Sequence, residues 1–204
     1  MYALMQQKRV TAWFLLTCLV CLPAPVISQI DKPSVSEGAL RFYLDHTVFD
    51  NQESGQVYCE FYLMWFAGQI NGIILDPGLE GQIAIEVSTF NEITGVSTKK
   101  NWITSVRLSP DSLKNATLAV YDVFAETLSA GLTRVTINLS DLNGSKSGSA
   151  SHLVKISEPK SDQPRLSQIE FISRLEEGDQ KSRFYKSGRN AYPNPMRQYG
   201  LLTP

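Results

Sequence analysis

The chain has 204 residues, of which 43% are hydrophobic, and its 19 basic and 20 acidic side chains give a net charge of −1 at pH 7. This charge balance provides no electrostatic basis for binding nucleic acid or an anionic membrane surface. The hydrophobic fraction is high enough for a domain of about 120–130 residues to fold around its own core.

The first 28 residues have the layout of a signal peptide. Lys8 and Arg9 form a basic region, residues 12–22 are an uncharged apolar run, and Val26 and Ser28 have the spacing of a signal peptidase site. The apolar run is shorter than the roughly 20 residues that a membrane-spanning helix needs. The sequence therefore predicts cleavage after Ser28 and a secreted or periplasmic protein that is not inserted in the membrane after cleavage.

The cysteines indicate a fold without disulfides. Cleavage removes Cys18 and Cys21, and the mature chain keeps only Cys59. Thr17 and Val20 precede the two leader cysteines, whereas a lipid-modified cysteine prefers a small residue before it, so lipidation is disfavoured. A single cysteine cannot form an internal disulfide, and the core alone must hold the domain.

Residues 41–158 alternate between apolar and polar side chains, which predicts strands that follow an N-terminal extension at 29–40. The clearest strand covers residues 56–66. Its odd positions predict a buried face and are Val57, Cys59, Phe61, Leu63 and Trp65. Its even positions predict a wetter face and begin with Gln56, Tyr58, Glu60 and Tyr62. Cys59 lies in the buried phase, which favours a small core residue over a reactive thiol.

Further strands are separated by turn signals. The same alternation recurs around residues 42–48, 83–87, 102–108, 133–139 and 154–156. The turn signals are Asp76-Pro77-Gly78, Thr94-Gly95, Ala130-Gly131 and Asn143-Gly144. Together these patterns predict an all-β fold, an antiparallel Ig-like β-sandwich of about seven strands.

Residues 109–128 fit two structures. Ser109 and Pro110 are suited to the start of a helix, whereas Val120 and Val123 fit a strand. A sandwich needs a strand before the one at 132–140, so we favour a strand at about 117–127.

The C-terminal part is patterned differently. A polar linker at 159–165 precedes residues 166–204, which we interpret as the start of a second, truncated domain. Large side chains such as Ile169, Phe184 and Tyr192 are unusual in a free linker. Strands begun here would lack partners and expose an edge, so we expect the chain to self-associate.

Several segments resemble the N-terminal part of the bacterial exported proteins that contain a GWxTD domain. The matching segments are V-Y-C-E-F-Y-L at 57–63, L-S-A-G-L-T-R-V-T-I-N-L-S-D at 128–141, L-S-Q-I-E-F-I at 166–172, F-Y-K-S-G at 184–188 and Y-P-N-P-M-R-Q-Y-G at 192–200. The segment at 128–141 resembles a hairpin of that family. The Gly-Trp-x-Thr-Asp signature itself does not occur in the chain. The resemblance implies a fragment of an exported bacterial protein of unassigned activity.

Two sets of residues resemble catalytic or metal-binding patterns. Ser97-Thr98-Lys99-Lys100 matches the S-x-x-K motif of serine acyltransferases, but those enzymes carry it on a helix, and here we expect a polar turn. His46 and His152 lie in the buried phases of the first and last predicted strands. These strands are expected to be neighbours, so the imidazoles could approach each other. Two histidines alone make an incomplete zinc site, and we predict no catalytic, cofactor or metal residues.

We therefore expect a non-catalytic binding or structural module whose partner is another protein or its own missing C-terminal domain. The alternatives are an N-terminal fragment of a cell-envelope hydrolase, and a secreted carbohydrate-binding module that uses Tyr58 and Tyr62. The residues expected to form an interaction surface are Tyr58, Tyr62, Arg189, Tyr192, Asn194, Arg197 and Tyr199.

Overall fold

The structure is a computed structural model. It describes residues 34–50, 56–75, 78–109, 117–157 and 167–197. The predicted signal peptide, the turn at Asp76-Pro77 and Tyr199 lie outside the described residues.

The described residues form thirteen β-strands and one turn of 3₁₀-helix at Ala67–Gln69. The strands are β1 (Ser34–Val35), β2 (Glu37–Gly38), β3 (Phe42–Asp50), β4 (Gln56–Phe66), β5 (Gly72–Leu75), β6 (Gly78–Asn91), β7 (Ser97–Leu108), β8 (Ala119–Ser129), β9 (Gly131–Asp141), β10 (Ser147–Ile156), β11 (Ile172–Glu177), β12 (Tyr185–Lys186) and β13 (Arg189–Pro193). None of the described helices has the length and apolar character needed to cross a bilayer.

Ten of the strands form two antiparallel sheets. Sheet A has the order β1-β3-β4-β8, and sheet B has the order β2-β10-β9-β6, with β5 and β7 both paired to β6. Seven of the ten strands are long, as the sequence predicts, whereas β1, β2 and β5 have two, two and four residues. Such short strands cannot show a period of two, so the alternation pattern missed them.

The core lies between sheets A and B. Phe61 of sheet A and Val135 of sheet B are fully buried, which confirms the predicted phase of both strands. The odd side chains of β4 pack against isoleucines and valines that point inward from sheet B, such as Ile85 and Val87. Burying an apolar side chain of this size contributes about 1.5–3 kcal/mol. The sandwich prediction is confirmed.

Residues in the ambiguous segment form a strand. The eleven residues of β8 pair with β4 along its whole length, from Gln56 opposite Ser129 to Phe66 opposite Ala119. This confirms the strand that we favoured, whereas residues 110–116 lie outside the described part of the chain.

Two connections differ from expectation. The segment at 128–141 was expected to be a hairpin, but β8 belongs to sheet A and β9 to sheet B, so the chain crosses between sheets there. Gly131, with φ of +125°, provides the backbone conformation that this crossing requires. Ser97 and Lys100 were expected in a turn but lie in β7, where they pair with Phe90 and Val87. By contrast, β9 and β10 do form the hairpin predicted at Asn143-Gly144.

The C-terminal residues form a third sheet, sheet C, with the order β11-β13-β12. β12 and β13 are joined by a two-residue turn at Ser187-Gly188, and both residues have positive φ, 48° and 88°. This geometry suits a tight hairpin. The expectation that strands begun in this segment lack partners is therefore wrong, because β11 and β12 each pair with β13.

Candidate functional site

Sheet C packs on the outer face of sheet A, the face turned away from sheet B. The first contact along the C-terminal segment is with the edge of β3, where the backbone N–H of Gln168 donates to the carbonyl of Val48 over 3.0 Å. The side-chain oxygen of Gln168 accepts from the N–H of Val48, also over 3.0 Å. This pair of bonds continues the hydrogen bonding of sheet A beyond β3. It fixes the segment that leads into β11.

Arg197 forms a two-point ion pair with Asp45 of β3. Its Nε donates to Oδ2 over 2.9 Å, and its Nη2 donates to Oδ1 over 2.7 Å. A guanidinium and a carboxylate that meet at two points are fixed in orientation as well as position. Asp45 is 8% exposed, so the loss of either partner would leave a charge with little access to water.

Lys186 is held between two carboxylates. Its Nζ lies 2.5 Å from Oε2 of Glu60 on β4 and 2.6 Å from Oε2 of Glu170. The Tyr62 hydroxyl donates to the same Glu60 oxygen over 2.7 Å and accepts from Lys186 over 3.2 Å. Burial first, and then the hydrogen bond and charge of Glu60, raise the pKa of Tyr62 well above its usual range. Tyr62 therefore stays a neutral donor.

Arg183 reaches the edge of the sandwich. It forms an ion pair with Oδ1 of Asp122, whose side chain is 1% exposed. The other oxygen of Asp122 accepts from Trp102 Nε1 over 3.0 Å and from the Thr104 hydroxyl. Asp122 lies on the inward-facing phase of β8, opposite Leu63 of β4. One carboxylate thus links β8 of sheet A with β7 of sheet B and with the segment that joins β11 to β12.

Aromatic rings of β8 and of the C-terminal segment form a cluster. The ring of Tyr192 on β13 lies 4.9 Å from that of Phe184 and 6.0 Å from that of Tyr121 on β8, measured between centroids. The guanidinium carbon of Arg174 lies 4.3 Å above the Tyr192 ring, within the range of a cation–π contact. We call the four ion pairs of Arg197, Lys186 and Arg183, together with this ring cluster, the sheet A–sheet C interface.

The residues predicted to form an interaction surface divide into groups. Tyr62, Tyr192 and Arg197 belong to the sheet A–sheet C interface, and Tyr62 is only 2% exposed. Asn194 is buried, and its backbone N–H donates to the carbonyl of Phe171 over 2.8 Å. Because Tyr62 is covered, it cannot form an open aromatic platform with Tyr58, as the carbohydrate-binding alternative required.

Tyr58 and Arg189 are exposed, and Tyr199 lies outside the described residues. The predicted interaction surface did not include the ion-paired residues Asp45, Glu60, Asp122, Glu170 and Lys186. Asp45, Glu60 and Asp122 could have been recognised from sequence, because they are charged residues at positions of β3, β4 and β8 that strand pairing predicts to be shielded. Charged residues are seldom buried without a partner.

The two histidines approach each other as predicted. The ring centroids of His46 and His152 lie 4.7 Å apart, and the hydroxyl of Ser34 is 2.7 Å from Nδ1 of His152. Among the described residues, there is no group of three or more His, Cys, Asp or Glu side chains that could hold a metal ion.

The ion pairs of the sheet A–sheet C interface are suited to holding the C-terminal segment against sheet A. Lys186 is paired with both Glu60 and Glu170, and the side chains of these three residues are 28%, 15% and 14% exposed. Such shielded pairs resist separation because each ion would lose its partner without gaining full hydration.

Comparison with known proteins gives no assignment: no family model, no curated protein and no solved structure matches the chain.

Proposed function

We propose that the protein is an exported bacterial β-sandwich module without catalytic activity, which binds or positions a protein partner or a further domain of its own chain. It belongs, in this proposal, to the exported proteins with a GWxTD domain. The supporting sequence features are the signal-peptide layout of residues 1–28 and the motif segments at 184–188 and 192–200.

The observation that carries the proposal is the fixed position of Arg197. Its two hydrogen bonds to Asp45 hold the chain at the end of sheet C. The Asn194 carbonyl also accepts from the Arg197 N–H over 2.9 Å. The described part of that motif segment, residues 192–197, therefore supplies an anchor at a defined point on the sandwich. Such an anchor suits a module that sets the orientation of whatever it carries or binds.

In-cell photo-cross-linking tests this role. A photoreactive phenylalanine analogue replaces Arg189, exposed on sheet C, or Lys155, exposed on β10, in the bacterium that encodes the chain. We expect a discrete protein adduct, or an internal cross-link to a further domain, from position 189 only. Asp45→Ala should weaken that adduct, because sheet C loses its anchor. The same pattern from both positions, or no adduct from position 189, contradicts the proposal.

Family membership has a separate test. The reading frame beyond Pro204 is expected to encode Gly-Trp-x-Thr-Asp. A frame that continues without this signature, or that stops after Pro204, contradicts this part of the proposal.

A further inference from the structure

The outer face of sheet B carries a groove of about 390 Å³ across β9, β6 and β7. Strand pairing places two rows of side chains there. In one row, Phe90 lies between Arg134 of β9 and Ser97 of β7. In the neighbouring row, Ser88 lies between Thr136 and Lys99.

The β6–β7 turn holds one end of this groove in place. The Asn91 side-chain oxygen accepts from the N–H groups of Ile93 and Thr94, each over 3.0 Å. The Gly95 N–H donates to the Asn91 carbonyl over 2.8 Å, and Gly95 has φ of +71°. These bonds set the register that brings Phe90 opposite Ser97. The groove is therefore built by the fold rather than by mobile side chains.

The two cations that line the groove, Lys99 and Arg134, are each paired with a carboxylate beside it. Nζ of Lys99 lies 3.1 Å from Oε2 of Glu86. Arg134 donates from Nε over 2.9 Å, and pairs through Nη2 over 2.8 Å, to Oε1 of Glu92. Two cations and two carboxylates sum to zero, so the groove has no net attraction for a phosphate, sulfate or polyanion. A guanidinium has five N–H donors, and Arg134 uses two of them on Glu92.

The remaining chemistry suits a neutral ligand rich in hydroxyl groups. Phe90 is 43% exposed and offers an apolar ring. Short hydroxyl side chains, which donate and accept hydrogen bonds, surround the Phe90 ring. The charged ends of Arg134 and Lys99 also line the groove. A sugar ring has one apolar face for the aromatic side chain and hydroxyls at its rim for the polar groups.

We propose that this groove binds a neutral saccharide, with Phe90 contacting the sugar face and Arg134 donating to its hydroxyls. The site is separate from the sheet A–sheet C interface and does not depend on the proposed positioning role. It lies on the opposite sheet from Tyr58 and Tyr62. Because the groove is shallow and open to water, the affinity for a single sugar is low, and a polymer is the better probe.

Affinity electrophoresis in native gels tests the proposal. The gels contain hydroxyethyl cellulose, xylan or galactomannan as neutral polymers, or alginate as an anionic one. We expect at least one neutral polymer to retard the protein. Phe90→Ala and Arg134→Ala should each weaken that retardation at least tenfold. Ile103→Ala, which removes another exposed apolar side chain from β7, should leave it unchanged.

Thermal unfolding of each variant establishes that it is folded. Three results overturn the proposal: no retardation by any of the neutral polymers, retardation by alginate alone, or retardation that both groove substitutions leave intact. The separate cross-linking experiment tests the positioning role: absence of an adduct from position 189 counts against that role and leaves the saccharide groove unaffected.

Discussion

Arg197 and Asp45, which are 152 positions apart in the sequence, form a two-point ion pair that fastens sheet C to sheet A. The pair lies on the outer face of β3, opposite Tyr62 of β4. It joins the C-terminal segment to the face of sheet A that is turned away from the core. The C-terminal segment is thus a third layer of the fold.

Substitution of Arg197 by Ala should loosen sheet C. The change leaves the shielded Asp45 carboxylate without its cation, and hydrogen bonds to charged groups contribute about 1.5–3 kcal/mol. Hydrogen exchange should show faster exchange of the β12 and β13 amides. Arg189→Ala, at an exposed position of the same sheet, is the matched control and should have an effect below about 0.5 kcal/mol. Similar effects of the two substitutions would refute the role of the ion pair.

Phe61 and Tyr62 should both be costly to replace. Phe61→Ala should lower the free energy of unfolding by about 3–5 kcal/mol. The even position of Tyr62 on β4 predicted a wetter face, and hence a lower cost of replacement, but its ring is 2% exposed beneath sheet C, so we expect a comparable cost for Tyr62→Ala. Tyr58→Ala, on the same strand face but 41% exposed, should cost clearly less. Denaturant unfolding measures all three, and a Tyr62 effect as small as that of Tyr58 would be inconsistent with the covered face.

The Cys59 thiol should be unreactive in the folded protein. Burial first, and then the Glu60 and Glu126 carboxylates, raise the pKa of Cys59 from 9.0 to about 12. In a chain that lacks residues 1–28, a thiol reagent at pH 8 should therefore label Cys59 only after unfolding. Rapid labelling under native conditions would disprove the buried placement.

The same shift predicts a pH dependence of stability. The unfolded thiol ionises from about pH 9, whereas the folded thiol stays protonated to about pH 12. The stabilisation is fully present below pH 9 and is lost as the pH rises towards 12. Cys59→Ala should lack this part of the pH dependence. Parallel curves for the two proteins would contradict the assignment.

Export gives a prediction that is independent of the fold. From the basic, apolar and small-residue order of residues 8–28, we expect a mature N-terminus at Gln29, within two residues. N-terminal sequencing of protein recovered from the extracytoplasmic fraction of a Gram-negative host measures it. Recovery of that fraction with Met1 retained would show that no leader is removed.

Alternation along a strand was enough to predict which side chains face the core, and Phe61 and Val135 are both fully buried as expected. It could not predict that Tyr62 is covered. The covering group, Lys186, is 124 positions away, and its docking depends on the positions of Glu60 and Glu170.

The groove on sheet B could not be predicted from the sequence for a related reason. Phe90 and Arg134 become neighbours only through the register of β6 with β9. A strand pattern gives the face of each side chain but not its partner on the next strand. The two histidines meet as predicted, but their strands are not neighbours in one sheet as expected: His46 lies on β3 of sheet A and His152 on β10 of sheet B, so the two rings approach each other between the sheets.

The central claim is that residues 167–197 dock on sheet A, and hydrogen exchange combined with light scattering on residues 29–204 tests it most directly. We expect a monomer in which the amides of β12, β13 and the Val48 edge of β3 are protected together. Arg197→Ala should weaken that protection in all three segments. A self-associating protein whose amides at 185–193 exchange at the rate of an unfolded chain would contradict the account and restore the expectation of unpaired strands.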